Sequence, residues 1–423
     1  MRIIYRRCCG MDVHKKKLTV CVMSTDGVSP VQVRKRAFGT YTRDVKKLRH
    51  WLLACKVTHV AMESTGVYGK PVWNVLEGKF TILLVNAAHY KGVDGRQTDQ
   101  IDCEWLAELL QCGLLKASFI APQEIRELRD LTRMRVPVVQ EENRVQNRIE
   151  KVLESANIKL SVAVSDTLGV SGKLMLKAII RGQEDPGWLA DYARGSLRSK
   201  RKELELALAG KVTDHHRFLL QECLDPIEFL EGKVARLEGR IGEMLQPHAD
   251  LIRRLDAIAG VDEITAWTLL AEIGWNMDVF QTSERLASWA GMCPGNRQSA
   301  GKRSSGKTRK GNRWLRRALV QCGWAAARAQ DSYLRSVFWR IAGRQGKKKA
   351  AVAVGHRILK IAFYLVRDGV EYQDLGPAYF DRLNPVRTAQ KLVHRLERLG
   401  FAVNILPASA QAIAEGGSNI ANA

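Results

Sequence analysis

The chain has 423 residues, 46% of them hydrophobic, with 67 Lys and Arg against 44 Asp and Glu, a formal charge of +23. That length supports two or three domains with a sizeable core, no apolar run reaches the roughly 18–20 residues of a membrane span, and the basic N-terminus MRIIYRRCCGMDVHKKK lacks the apolar core and small-residue cleavage site of a secretory signal. The charge surplus points to a polyanionic partner held by phosphate neutralisation and counterion release, while nine cysteines without a CxxC pair read as reduced cytosolic thiols, not as a zinc site or disulfide framework.

Residues 3–38 read as three strands, IIYRRCCGMDV, KLTVCVMSTDG and VQVRKRAF, the second ending in the turn dipeptide Asp26-Gly27. TRDVKKLRHWLLAC then has helical spacing at Val45, Leu48, Leu52 and Leu53. VTHVAME (57–63) reads as a short strand, GVYGKPVWNVLEG as a helix, FTILLVN (80–86) as a buried strand, and QTDQIDCEWLAELL as a closing helix. The order β-β-β-α-β-α-β-α is that of ribonuclease H. From Pro122 the chain turns long, charged and helical, with Pro137 expected to kink or break the first helix. A second long segment beginning at Pro226 places Ile227, Leu230, Val234, Leu237, Ile241 and Leu245 at 3-4-3-4-4 spacing, which suits a coiled-coil seam or a helix packed within one bundle. Between them, 155–215 is helical with breaks at Gly169, Gly172, Gly182 and Pro186-Gly187. LDAIAGVDEITAWTLLAEIG reads as helix, Gly260 turn, helix, a hairpin that can offer backbone N–H groups to phosphate. Helices follow at SERLASWAG, 311–329 and 350–368, and the tail beyond Pro407 is expected to fray.

Four acids stand out by position. Asp12 lies in the first strand, Glu63 closes the fourth, and Asp99 and Asp102 share a face at the start of the third helix. Each alone has an ordinary role: a strand-edge acid, a helix-capping acid, an N-cap, a first-turn acid favoured by the helix dipole. In a ribonuclease-H sheet the first and fourth strands are neighbours and the last helix packs beside them, so the four converge. Four crowded carboxylates repel, and two Mg²⁺ ions would cancel that charge through oxygen ligands and clamp the attacking and leaving oxygens of a phosphodiester.

A second constellation spans Pro294–Arg317: nine basic residues (Arg297, Lys302, Arg303, Lys307, Arg309, Lys310, Arg313, Arg316, Arg317), four glycines and no acid. This reads as a loop gripping phosphates. Ser299, Ser304 and Ser305 within it are equal candidates for a hydroxyl that contacts or attacks phosphate.

The set GMDVHKK, AMESTGVYGKPVW, QTDQIDCEWLAELL, AGVDEITAWTLLAEIG and WAGMCPGNRQSAGKRSSGKTRKGNRWLRRAL, covering roughly residues 8–385, resembles the DEDD transposases of one bacterial insertion-sequence family. The resemblance implies an α/β RNase H-like (RuvC-like) catalytic domain over 1–120, a helical, coiled-coil middle over 121–250, and a mostly α transposase domain over 251–385 with a helix-hairpin-helix-like start and the serine loop. A C-terminal extension, 386–423, would follow. It also implies Asp12, Glu63, Asp99 and Asp102 as Mg²⁺ ligands. Ser299, five residues after the proline of the G-x-x-P turn, would be the nucleophile that forms a covalent phosphoserine. DNA would be the substrate, a structured bridge RNA the guide, and a homodimer or homotetramer the assembly, joined by the long helices, in a nucleoid-associated cytoplasmic protein. Cys103 and Ala300 stand where the family usually has alanine and glycine. A RuvC-like junction nuclease without a serine intermediate, and a non-catalytic nucleic-acid-binding protein, are the alternatives.

Overall fold

The computed structural model describes residues 2–63, 66–85, 99–115, 118–295, 297–299, 302–305, 308 and 310–404, with backbone alone at 99–101, 297–299 and 302–305. Lys307, Arg309 and the tail beyond Pro407 lie outside the described residues. Two compact units emerge, Met1–Pro122 and Gln123–Ala423.

The first unit follows the expected order: β1 (Arg7–Val13), β2 (Lys17–Ser24), β3 (Gln32–Gly39), α1 (Thr42–Ala54), β4 (His59–Glu63), α2 (Gly69–Leu76), β5 (Thr81–Val85) and α3 (Asp99–Gln111). The sheet runs β3-β2-β1-β4-β5. β1 and β2, and β2 and β3, are antiparallel, while β1, β4 and β5 are parallel. The β2–β3 connection is closed by Asp26, whose Oδ1 accepts from the Val28 and Ser29 N–H groups at 2.9 and 2.7 Å, a turn chemistry that favours aspartate. Period-two alternation splits β1 between two cores. Cys9, Met11 and Val13 pack with Leu48 and Leu52 of α1 and Val72 and Leu76 of α2, and Cys8 packs with Cys103, Leu106, Ala107 and Leu110 of α3 on the other face. The side chain of Asp12 therefore belongs to the α3 face.

The second unit is helical apart from one hairpin. It opens with α4 (Gln123–Ser155), α5 (Leu160–Ala163), α6 (Val170–Ile180), α7 (Pro186–Ala190), α8 (Arg201–Leu208) and α9 (Asp214–Leu245). Pro137 does not break α4, and α9 starts twelve residues before the expected start at Pro226 and runs through it. Each proline removes one i→i−4 bond, at a cost of about 3 kcal/mol, and burial on both sides offsets it: Thr132 and Val138 flank Pro137, and Leu224 and Ile227 flank Pro226. Gly172 likewise lies inside α6. The long helices α4 and α9 pack against each other within one chain. Val145, Ile149 and Leu153 of α4 share a core with Leu220 and Ile227 of α9 and with α5–α8, so much of the apolar stripe expected to join subunits is already covered.

Next come α10 (Ala249–Asp256), α11 (Glu263–Ile273) and α12 (Ser283–Trp289), then β6 (Arg297–Ser299), β7 (Lys302–Ser305), α13 (Arg313–Ala326), α14 (Tyr333–Gln345), α15 (Lys347–Asp368), α16 (Tyr379–Leu383) and α17 (Pro385–Glu397). Gly260 turns the chain between α10 and α11 as expected. The start of α11 is occupied from within: the Thr265 N–H donates to Asp262 Oδ1 at 2.8 Å, and Glu263 adds a second acid to the first turn, a combination that favours the helix dipole but not an incoming phosphate. Among the described residues no helix is long and apolar enough to cross a membrane.

Candidate active site

In the first unit, β1 and β4 are parallel neighbours with Met11 opposite Met62, which sets Asp12 and Glu63 side by side at the carboxyl ends of their strands. Ala61 faces the α3 core, and Glu63, two residues on, shares its face. Helix α3 runs antiparallel to β1. The Ile4 N–H donates to the Gln111 carbonyl at 2.8 Å, the Cys8 thiol donates to the Ala107 carbonyl at 3.5 Å, and Cys103 lies over Gly10. Continuing that progression, Asp12 is level with the first turn of α3, which begins at Asp99 and carries Asp102.

The approach is close because Gly10 has no side chain. A Cβ there would lie 2.1 Å from the Cys103 carbonyl oxygen and 2.5 Å from the Ala107 nitrogen. Asp12 is 5% exposed, and its Oδ2 is 2.9 Å from His14 Nε2. Its charge is felt in the helix: burial lifts the Cys103 thiol to about 11, the Lys35 ammonium opposes that, and the Asp12 carboxylate adds to it. Lys35 of β3 is itself paired with Glu104 of α3 at 2.6 Å.

The structure thus brings Asp12, Glu63 and the start of α3 together at the carboxyl ends of two central strands of the sheet. The side chain of Asp99 lies outside the described residues, and among those described no group of three or more His, Cys, Asp or Glu side chains is gathered tightly enough to hold a metal ion. The donor chemistry nevertheless fits Mg²⁺, because carboxylate oxygens are the hard ligands that ion takes.

In the second unit, the stretch expected to be a loop is an antiparallel hairpin. Ser299 pairs with Lys302, Gln298 with Arg303 and Arg297 with Ser305, with a bulge between Arg297 and Gln298. Ser299 is the last paired residue of its strand, whereas Ser304 and Ser305 lie further down β7. Of the basic residues, Lys310 is exposed and the Arg313 guanidinium lies 4.8 Å from the centre of the Trp314 ring. The described backbone places Arg297, Lys302 and Arg303 on the hairpin strands.

The base of the hairpin is built by Pro294, Thr308, Gly311, Asn312 and Arg316, in structural roles that the sequence did not suggest. Pro294 bridges Thr308. Arg316 reaches across both ends, its guanidinium donating to the Gly291 carbonyl at 3.0 Å and to Thr308 Oγ1 at 2.6 Å, so it acts as a clamp. Gly311 sits so close to the Ala290–Gly291 backbone that a Cβ would meet it at 2.4 Å. Asn312 caps α13 through its Oδ1, which accepts from the Trp314 and Leu315 N–H groups. Its amide nitrogen donates to Glu272 Oε2 at 2.5 Å.

Glu272 of α11 is 0% exposed. Arg133 of α4 donates to both its carboxylate oxygens at 2.8 Å, and Arg129 donates to the Ala271 and Glu272 carbonyls at 2.7 and 2.6 Å. One carboxylate therefore joins α4, α11 and the exit of the serine hairpin. A glutamate at the end of an apolar helix was the available signal, but its partners lie 139 residues back and 40 ahead. Glu272→Ala is expected to cost about 3 kcal/mol, because it removes a fully buried carboxylate and leaves the part-buried Arg133 guanidinium and the Asn312 amide without their shared acceptor. Chemical denaturation checks this, and a loss below about 1 kcal/mol would show the cluster to be dispensable.

Comparison with known proteins bears on both regions. A DEDD transposase model of the IS110 type, described as "Transposase", matches residues 9–158, and a model described as "Transposase IS116/IS110/IS902 family" matches residues 252–339. A Pseudomonas aeruginosa protein named as a family 20 transposase is 28% identical over 156 residues, covering 35% of this chain and 44% of its own length. A Sinorhizobium fredii protein named as the transposase y4qE is 27% identical over 241 residues, covering 55% of this chain and 48% of its own. The chain thus spans about half the length of the curated relatives it matches.

Proposed function

Because the chain belongs to the IS116/IS110/IS902 family of DEDD transposases, we propose that it is a DNA transposase and site-specific recombinase, built on an RNase H-like, RuvC-like catalytic domain and a serine-bearing transposase domain. The observation that carries this reading is the placement of Asp12 and Glu63 at the carboxyl ends of adjacent parallel strands, beneath the turn of α3 that starts at Asp99 and carries Asp102.

Asp12, Glu63, Asp99 and Asp102 would hold Mg²⁺, two ions per site. Bound there, Mg²⁺ supplies Lewis acidity and neutralises charge developing on the phosphodiester oxygens. The chain's own groups do the rest. Arg297, Lys302, Arg303, Lys307, Arg309, Lys310 and Arg313 hold the strand by its phosphates, and Ser299 supplies the attacking hydroxyl. A bond forms between Ser299 Oγ and phosphorus, the serine proton is released, the ester bond to the neighbouring deoxyribose breaks, and the leaving sugar oxygen is protonated. Attack by the hydroxyl of a different strand end reverses the sequence and frees the serine, so the bond energy of the cut strand is kept for rejoining. A structured bridge RNA pairing with donor and target DNA supplies the guide, the enzyme works as a homodimer or homotetramer, and it acts in the cytoplasm at the nucleoid. The charge of +23 suits a protein that carries both DNA and RNA.

The test is to incubate the protein with Mg²⁺ and DNA from the ends of its element, together with RNA copurified from the expressing cell. The products are digested and peptide masses measured. A nucleotide adduct on the Ser299 peptide is expected. Cleavage with no adduct would make the protein a metal-dependent nuclease that activates water, and binding without cleavage would reduce it to a scaffold.

A further inference from the structure

The second unit holds a cavity one wall of which, His356, lies 4.0 Å through its Nε2 from the Cys293 sulfur, beside the base of the serine hairpin. Its volume is about 480 Å³, and among its lining residues are Tyr333, His356, Arg357, Lys360, Tyr364 and Tyr372. That size lies within the roughly 300–1,000 Å³ of small-ligand sites, and it suits one nucleoside, not a duplex. We propose that this cavity receives one unpaired nucleotide of a bound nucleic-acid strand, its base stacked on Tyr364 and its phosphate drawn to Arg357. The proposal rests on the reading of the chain as a nucleic-acid-processing protein and adds a second place at which a strand is held.

Three features carry it. Tyr364 is 41% exposed and lines the cavity, while the Arg367 guanidinium, which does not line it, lies 4.9 Å from the ring centre. The aromatic is thus backed by a cation and open to a partner, as in platforms for unpaired bases. The floor is rigid: Tyr333, 7% exposed, is held by Arg357 through its hydroxyl and packed against Tyr379 and Phe380. Third, the charge balance is positive. The carboxylate at the rim, Glu371, is tied to Arg253 at 2.8 Å and Arg254 at 3.2 Å, which spares an incoming phosphate its repulsion. Lys360 is likewise paired, 2.7 Å from Glu284, so among the described residues the cation at the wall without a carboxylate partner is Arg357, whose hydrogen bond goes to the neutral Tyr333 hydroxyl. Polar groups suited to a base edge are also present. Gln373 offers both donors and an acceptor, and burial, reinforced by the Lys360 ammonium, lowers the His356 imidazole below its ordinary range, which favours the neutral ring with one donor and one acceptor.

The probe is a short oligonucleotide with 2-aminopurine at its centre, offered to the full-length protein as single-stranded DNA, as single-stranded RNA and as DNA duplex. Quenching on binding is expected for a single strand and not for the duplex, and the stronger single-stranded arm identifies the source. Tyr364→Ala is expected to weaken that binding by about 10- to 100-fold, the range for losing one base–aromatic stack, with duplex affinity unchanged. Equal quenching of single strand and duplex, or a Tyr364→Ala protein that binds single strands as wild type does, overturns the pocket while leaving the transposase reading intact. Failure to bind duplex and single strands alike would overturn both. The wild-type comparison keeps the proposal falsifiable if Tyr364→Ala does not fold.

Discussion

Asp12→Asn is expected to reduce Mg²⁺-dependent strand cleavage by about a thousand-fold or more, the scale on which losing one electrostatic stabiliser acts in a preorganised site. Asparagine nearly preserves the volume of aspartate, so the packing of β1 against α3 should survive, and DNA binding, which depends on the basic residues, should stay within about threefold of wild type. Ser299→Ala is expected to be equally inactive for a different reason: it leaves the carboxylates intact and abolishes the covalent protein–DNA adduct. The two inactive proteins can then be mixed. Activity returns in mixed assemblies if carboxylates and serine come from different subunits, and stays absent if one subunit supplies both. Gel separation of cleaved strands and adducts reads all of these outcomes. Cleavage by Asp12→Asn at near wild-type rate would remove the carboxylate site from the mechanism.

Gly10→Ala is the strongest structural prediction. The added methyl would need to occupy space 2.1 Å from the Cys103 carbonyl oxygen and 2.5 Å from the Ala107 nitrogen. Both are backbone atoms of a helix, which no rotamer change can move aside. Overpacking of this kind usually costs about 1–3 kcal/mol and more where neighbours cannot yield. Here α3 must lift from β1, and the Cys8–Ala107 contact at 3.5 Å goes with it. A loss of about 3 kcal/mol or more is expected, with melting lowered on the order of 10 °C. Cleavage should fall even where the fold survives, since the same displacement draws Asp102 away from Asp12. A Gly10→Ala protein that melts and cleaves like wild type would show that the α3–β1 approach does not position the site.

Much of the first unit was legible before the structure. Alternation in GMDV and VAME and helical spacing in CEWLAELL follow from side chains having to reach one core or another, so strand and helix order could be read from the residues. Asp12 and Glu63 stood out because acids at the ends of apolar strands are unusual. The errors had a common cause. Pro137 was expected to kink or break its helix and Pro226 to open one, because proline propensity is local; both lie inside continuous helices, where burial that the spacing does not announce outweighs it. The hairpin at Arg297–Ser305 carries no alternating apolar pattern. It is held by pairing of backbone groups and by a base made of Pro294, Thr308, Gly311 and Arg316, contacts that no residue spacing announces.

The sequence by itself determined the order of elements in the first unit, the identity of the four acids, and the basic, acid-free stretch around Ser299, because periodicity and charge are properties of residues close together in the chain. Tertiary structure alone decided that Gly10 lets α3 descend onto β1, that α4 and α9 spend their apolar stripes on each other, and that Glu272 ties Arg133 to Asn312 beneath the serine hairpin. Those outcomes depend on which distant groups meet, and that is set by the shared burial of many side chains at once.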